Sequence, residues 1–386
     1  MSSTVVGAAA LSRPETGPAA SPPLDTVARS QPARYLTTAV GRPEGTIVKR
    51  NPVTVVAGLV AALSLALAGC AGTPAAAPAS TPAAGGSTAQ APADPKTYKV
   101  GVSQYVAHPS LDASLVGFKK ALADAGLEVT YDEKNGNADQ ATVTSISTTF
   151  ATAGLDLVLA IATPSAQAAA QAITDTPVLF TAVTDPVAAK LVESMDAPGH
   201  NVSGTSDMNP VAEQIALVKK LKPEAKTLGI IYSSGEVNSE VQVAAAKEAA
   251  AVEGLEVVEK TVTATGEVQQ AANSLEVDAI YVPTDNNVVA GLESVIQVAE
   301  TKQIPLVVGE GDSVKKGGII TYGIDYEKLG YQTGEMAVKI LTEGADVSTM
   351  AVETQKDLAV YVNKAAAERM GVTIPEDVLA GAEVVG

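Results

Sequence analysis

From Lys99 to the end, apolar β-branched runs alternate with amphipathic helical runs, and the series is played twice. Few architectures accept such a rhythm. The stretch 99–105 (KVGVSQY) predicts a strand. Leu111, Leu115, Phe118 and Leu122 recur at helical spacing over 111–125, and Gly126 stops that helix. The run 155–162 (LDLVLAIA) is almost wholly apolar, as a central parallel strand covered on both faces must be. Strands at 127–131 and 177–183 and helices at 139–153 and 164–173 complete the first series. After Pro210 it restarts, with a helix at 211–221, strands at 228–233, 255–262, 278–283 and 305–309, and helices at 239–252, 266–275 and 288–301. A strand at 319–322 leads into a long helix at 326–342, and 358–362 and 364–370 close the chain. The expected fold is α/β, with two doubly wound parallel-sheet lobes. Lobe one is expected at 97–208 plus 326–345 and lobe two at 209–322 plus 350–386. A three-strand hinge is expected near 207–210, 323–325 and 350–356.

The residues before the first lobe read as an address. In 49–70 (KRNPVTVVAGLVAALSLALAGC), Lys49 and Arg50 precede an apolar run at 53–67 and then Leu67-Ala68-Gly69-Cys70. This is the layout of a secretory signal peptide. The last four residues resemble a bacterial lipobox, in which the cysteine is lipidated on sulfur and becomes the mature N-terminus. Cys70 is the single cysteine of the chain. The apolar run is short for a membrane span of ~20 residues. Residues 1–48 are either a low-complexity leader or the product of a misassigned start; the layout favours the second, with initiation at Val48. Residues 71–94 hold four prolines, no aromatic residue and one charge, Asp94, and are expected to be a tether. The expected division is thus 1–69 leader and signal, 70–96 lipidated cysteine and tether, then the lobes. The expected location is the outer face of the cytoplasmic membrane.

Composition removes several functions. Lys+Arg is 26 against Asp+Glu 43, a net charge of −17, which argues against a nucleic-acid surface. One cysteine excludes an internal disulfide framework, and two histidines, His108 and His200, leave little for a metal centre. No G-x-S-x-G or Walker A motif occurs. Ser313-Val314-Lys315-Lys316 fits S-x-x-K, but Met208 follows Ser206-Asp207 where asparagine is needed and no K-T-G follows. No enzyme, cofactor or metal is expected.

Parallel sheets bind ligands beyond the carboxyl ends of their strands. There the sequence collects Gln104 and Tyr105 with His108, then Thr163-Pro164-Ser165, Thr184-Asp185-Pro186, Ser206-Asp207, Ser233-Ser234, Thr284-Asp285-Asn286 and Glu310-Gly311-Asp312. Thr163 at an N-cap with Pro164 at the first helical position would turn free N–H groups toward the cleft, favouring an anion; ordinary capping explains the pair equally well. Asp285 is the natural partner for a ligand's ammonium, with Asp207 and Glu310 as runners-up. Tyr105 suits a side-chain pocket. His108 reads as a structural residue rather than a base.

The segments VGVSQYVAHPSLDASLVGFKKAL (101–122), ATPSAQAAA (162–170), TAVTDPVAAKLV (181–192), NVSGTSDMNP (201–210), YVPTDNNVV (281–289) and YGIDYEKLGYQTGEMAVKIL (322–341) carry a resemblance. The chain resembles the solute-binding lipoproteins of ABC transporters with the periplasmic-binding-protein type I fold, in the family that binds aromatic and related amino acids. The resemblance implies ligand contacts from Gln104, Tyr105, Thr163, Ser165, Thr184, Asp185, Ser206, Asp207, Asp285, Asn286 and Glu310. It also implies a monomer, a permease with ATPase subunits as partners, and a small zwitterion, an aromatic or branched-chain amino acid, as ligand. A sensory module presenting the solute to a kinase or chemoreceptor is the alternative.

Overall fold

The two strand–helix series build two sheets in the computed structural model, which describes residues 96–386. The expected signal sequence, Cys70 and the expected tether at 71–94 lie outside those residues. The first series runs β1 (Thr97–Gln104), α1 (Pro109–Asp124), β2 (Glu128–Asn135), α2 (Gln140–Phe150), β3 (Leu157–Ile161), α3 (Thr163–Ala172), β4 (Val178–Val183) and β5 (Val202–Ser206). The second runs α4 (Val211–Leu221), β6 (Thr227–Ser233), α5 (Val237–Val252), β7 (Glu256–Val262), α6 (Val268–Asn273), β8 (Ala279–Val282), α7 (Asn286–Ala290), α8 (Leu292–Lys302), β9 (Leu306–Val308), α9 (Gly311–Lys316) and β10 (Ile320–Gly323). Then follow α10 (Tyr326–Val338), β11 (Glu353–Thr354), β12 (Ala359–Val362), α11 (Lys364–Arg369), α12 (Glu376–Leu379) and β13 (Glu383–Val384).

The first sheet has the order β11-β5-β4-β3-β1-β2 and is parallel throughout. The second has the order β13-β12-β10-β9-β8-β6-β7, with β12 antiparallel to β10. Each begins as a doubly wound sheet whose chain reverses direction beside its first strand, which leaves a crevice at the carboxyl ends. β3 sits mid-sheet and all five of its residues are buried, which is why its sequence lacks alternation.

Helix α10 returns from the second sheet and packs on α1 in the first. The contact is backbone to backbone. A Cβ on Gly330 would lie 1.9 Å from the Ser114 carbonyl oxygen, and one on Gly117 would lie 1.9 Å from that of Glu327. Gly334 faces the backbone of Phe118 in the same seam. Three crossings result, between β5 and α4, between β10 and α10, and between β11 and β12. The first two are tied by Asn209, whose Oδ1 accepts from the Ile324 N–H at 3.3 Å. The last two are tied by Gln355, which accepts from the Asp325 N–H at 2.7 Å and donates to the Asp325 carbonyl at 3.1 Å.

Several features differ from the sequence reading, among them α12 and β13, which follow the last expected element. Strand β5 (VSGTS) is too polar to be read as a strand, yet it pairs with β4 because Gly204 lets its backbone lie against Phe180; a Cβ there would be 2.0 Å from the Phe180 oxygen. Residues 353–354, expected in lobe two, pair instead with Thr205 and Ser206 of the first sheet. The helix expected over 288–301 is two helices that turn at Gly291. Residues 311–316 form an unexpected short helix, α9. No helix among the described residues is long and apolar enough to cross a membrane.

Candidate functional site

The carboxyl ends of the two sheets face each other across a small cavity. From the first lobe and the crossings it is lined by His108, Ser110, Leu111, Ala182, Thr184, Asp207 and Tyr326. From the second it is lined by Asn238, Thr284, Asn286, Val289 and Glu310. The free space is about 10 Å³, enough for roughly one water molecule. The lobes are therefore closed on one another. A side-chain bond also spans the gap, from Gln242 Nε2 of α5 to Thr184 Oγ1 at 3.5 Å.

Local backbone geometry aims the first lobe's wall. Strand β4 shifts register between Phe180 and Val183, and Ala182 there has φ +56°. This bulge bends the strand end that carries Thr184. At the end of β3, Ala162 has φ +78° and stands at the cap of α3, so Thr163 is the first helical residue and not the N-cap. Left-handed alanines are costly, and both lie at strand ends that open on the cleft.

The polar chemistry of the cavity is lopsided. Its carboxyls are Asp207 and Glu310, and its lining holds no lysine or arginine. Asp207 is buried and accepts from Tyr326 Oη at 2.5 Å and from Thr184 Oγ1 at 2.9 Å. Burial pushes its pKa up, against the pull of those two bonds. Glu310 caps α9, accepting from the N–H groups of Asp312 and Ser313. Burial, helped by the nearby Asp312 charge, raises it to about 7. His108, at the N-cap position of α1, is held down to about 4 by burial and is neutral at pH 7.

Four buried polar atoms on the lining have no partner: His108 Nδ1, Ser110 Oγ, Asn238 Oδ1 and Thr284 Oγ1. Buried polar groups in folded proteins are nearly always paired. Four such atoms on one cavity leave its wall with unspent hydrogen-bonding capacity.

Of the eleven residues expected at the site, Thr184, Asp207, Asn286 and Glu310 line this cavity. The other seven lie outside its lining. Gln104 is spent on Asp112 Oδ1 and the Val106 carbonyl. Tyr105 donates to the Ala138 carbonyl and packs in the first lobe's core. Ser165 accepts from Ser103, and Thr163 Oγ1 is buried and unpartnered. Asp185 caps its own turn through the Val187 and Ala188 N–H groups, and Ser206 donates to the Thr184 carbonyl.

Asp285, expected to be the favoured ammonium partner, is placed behind the cavity wall. It is fully buried as the N-cap of α7, and it accepts from the Ser233 N–H, Ser233 Oγ, Ser239 Oγ and the Val288 N–H. Its two oxygens accept four hydrogen bonds and it lies outside the lining, whereas Asp207 accepts one side-chain bond on each oxygen and lines the cavity. Sequence reasoning also missed Tyr326 and Asn238. Tyr326 follows Asp325 at the start of a helix that reads as packing, and Asn238 follows no strand end directly.

The sequence model of the family described as ABC transporter substrate binding protein matches residues 99–385. The chain is 44% identical over 275 residues to the tyrosine-binding protein of Clostridioides difficile strain R20291, covering 70% of this chain and 79% of that one. Among solved structures it is similar to a Streptococcus pneumonia domain in complex with L-Trp, with 38% identity, a TM-score of 0.72, and coverage of 75% of this chain and 100% of that chain. It is also similar to the ligand-free, open structure of a Clostridium difficile substrate-binding protein with adhesive properties. There the identity is 45%, the TM-score 0.58, and the coverage 75% and 99%.

Proposed function

The chain belongs to the ABC transporter substrate binding protein family, with the type I periplasmic-binding-protein fold, and from that premise we propose that it is the receptor of an importer for an aromatic amino acid, tyrosine first. The observation that carries this reading is the cavity itself. It offers a buried carboxyl at Asp207, four orphaned polar atoms, and apolar surface from Leu111, Ala182 and Val289. An ammonium beside Asp207 would offset the cost of burying its charge and draw its pKa back down.

The chain matches the L-Trp complex better in shape than the open, ligand-free relative, although it is more identical to the latter. This supports a closed form here. A cavity of about 10 Å³ cannot admit an amino acid, so the lobes part about their three crossings and close over the ligand. The closed form would be what a permease with its ATPase subunits recognises. Lipidation at Cys70 would moor the receptor outside the membrane, with 71–94 as tether.

A thermal-shift panel of the twenty amino acids, nucleosides and simple sugars tests the reading. Ligand at about 100 times its Kd adds ~2.7 kcal/mol to apparent stability. Tyrosine, or another aromatic amino acid, is expected to raise the melting temperature most. A response confined to sugars or nucleosides sinks it.

A further inference from the structure

Glu236 belongs to no motif and lies outside the cavity lining, yet it is a buried acid, 4% exposed, that forms no salt bridge among the described residues. Its carboxylate is ringed by donors. Oε2 accepts from Asn238 Nδ2 at 3.0 Å, from Asn286 Nδ2 at 2.5 Å and from the Asn286 N–H at 3.4 Å. Oε1 accepts from Asn287 Nδ2 at 3.0 Å. A carboxylate can only accept, so each asparagine must turn its amide nitrogen toward it. The amide nitrogen of Asn238 also meets Ser239 Oγ at 3.2 Å and the Thr284 carbonyl at 3.3 Å. With the nitrogen thus committed, Asn238 Oδ1 is left buried and unpartnered on a residue that lines the cavity.

We propose that Glu236 is a positioning residue that fixes the polarity of the second lobe's wall. By fastening the amide nitrogens behind the cavity, it presents the Asn238 carbonyl as an acceptor to the ligand, and so selects a donor-rich group, the ammonium of an amino acid. The inference rests on the reading that an amino acid occupies this cavity. Glutamine at 236 is isosteric but carries its own donor, so one asparagine must flip. Burial and the adjacent Asp285 push the Glu236 pKa up, and the bonds from Asn286 and Asn238 pull it back toward the acceptor-only form that orients the amides.

The test compares affinities for L-tyrosine and 3-(4-hydroxyphenyl)propionate, which lacks only the amino group. Wild type is expected to prefer tyrosine. Glu236→Gln should reduce that preference about tenfold or more, the usual worth of a hydrogen bond to a charged group, in a variant that still folds and melts cooperatively. Asn238→Ala, with Glu236 intact, should give the same loss. Combining Glu236→Gln with Asn238→Asp restores an oxygen at the cavity whichever way the side chain turns, and should restore the preference. Wild-type preference in Glu236→Gln or in Asn238→Ala overturns the proposal alone, as does a folded double variant without rescue. A wild type that binds no amino acid overturns it together with the reading beneath it.

Discussion

The phenol of Tyr326 donates to Asp207 Oδ2 at 2.5 Å, joining the start of α10 to the end of β5. Each residue flanks a different crossing between the lobes, and both face the ligand cavity. The bond therefore makes the proposed ammonium partner a part of the crossings between the lobes. Tyr326→Phe leaves Asp207 with only Thr184 as a side-chain partner. A hydrogen bond to a charged group contributes ~1.5–3 kcal/mol. The variant should melt lower and bind its amino acid at least several-fold more weakly; equal melting and equal affinity would show the bond to be idle.

Asp285 gives the opposite pattern to the one its sequence context suggests. Asp285→Ala removes one acceptor from four donors in a dry site. Each buried group left unpaired costs ~1–3 kcal/mol. A fall in stability of several kcal/mol is expected in urea melts, before any question of binding. A variant that keeps its melting curve while losing ligand would return Asp285 to the binding face.

Acid and base should act on the closed lobes in opposite senses through two cavity residues. His108 falls from 6.5 to about 4 on folding, so its neutral burial favours the native state above pH 6.5, and that contribution drains away as pH falls through 4. Glu310 rises from 4.5 to about 7, so its contribution is whole below pH 4.5 and is lost as pH climbs through 7. Each window corresponds to ~3 kcal/mol at 1.36 kcal/mol per pH unit. Melting curves from pH 4 to 8 should lose stability less steeply toward acid in His108→Gln, and less steeply toward neutrality in Glu310→Gln. Parallel profiles in wild type and variants would contradict both assignments.

Gly330→Ala tests the seam between α1 and α10. The added methyl meets backbone at 1.9 Å, which no rotamer can relieve. Overpacking typically costs ~1–3 kcal/mol, and a rigid neighbour puts this case at the upper end. Gly266→Ala, with nothing within 4 Å, is the matched control and should be neutral. Equal stability of the two would show that the helices slide apart freely.

The strand–helix rhythm was legible because β3, β4, β8 and β9 are fully buried and are apolar at nearly every position, Thr181 of β4 being the polar exception. Strand β5 was not, because its pairing depends on closeness at Gly204 and not on apolar side chains. At the site, strand-end position found Thr184, Asp207, Asn286 and Glu310 but could not rank the acids. A cap and a ligand contact use the same residue types after the same strands. Which oxygens are already taken depends on partners such as Ser233 and Ser239, far along the chain from Asp285. Glu236 was invisible for a related reason: two of the three asparagines that explain it arrive fifty residues later.

Strand β11 places the last piece of the first sheet at Glu353–Thr354. During synthesis, then, the first sheet cannot finish until residues 353–354 have left the ribosome. Neither half is a contiguous segment, so the partly made chain stays short of a folded lobe, and contacts this distant in sequence form slowly. Under the proposed export by a signal peptide, in which the chain threads a translocation pore before it folds, such late completion would keep it passable.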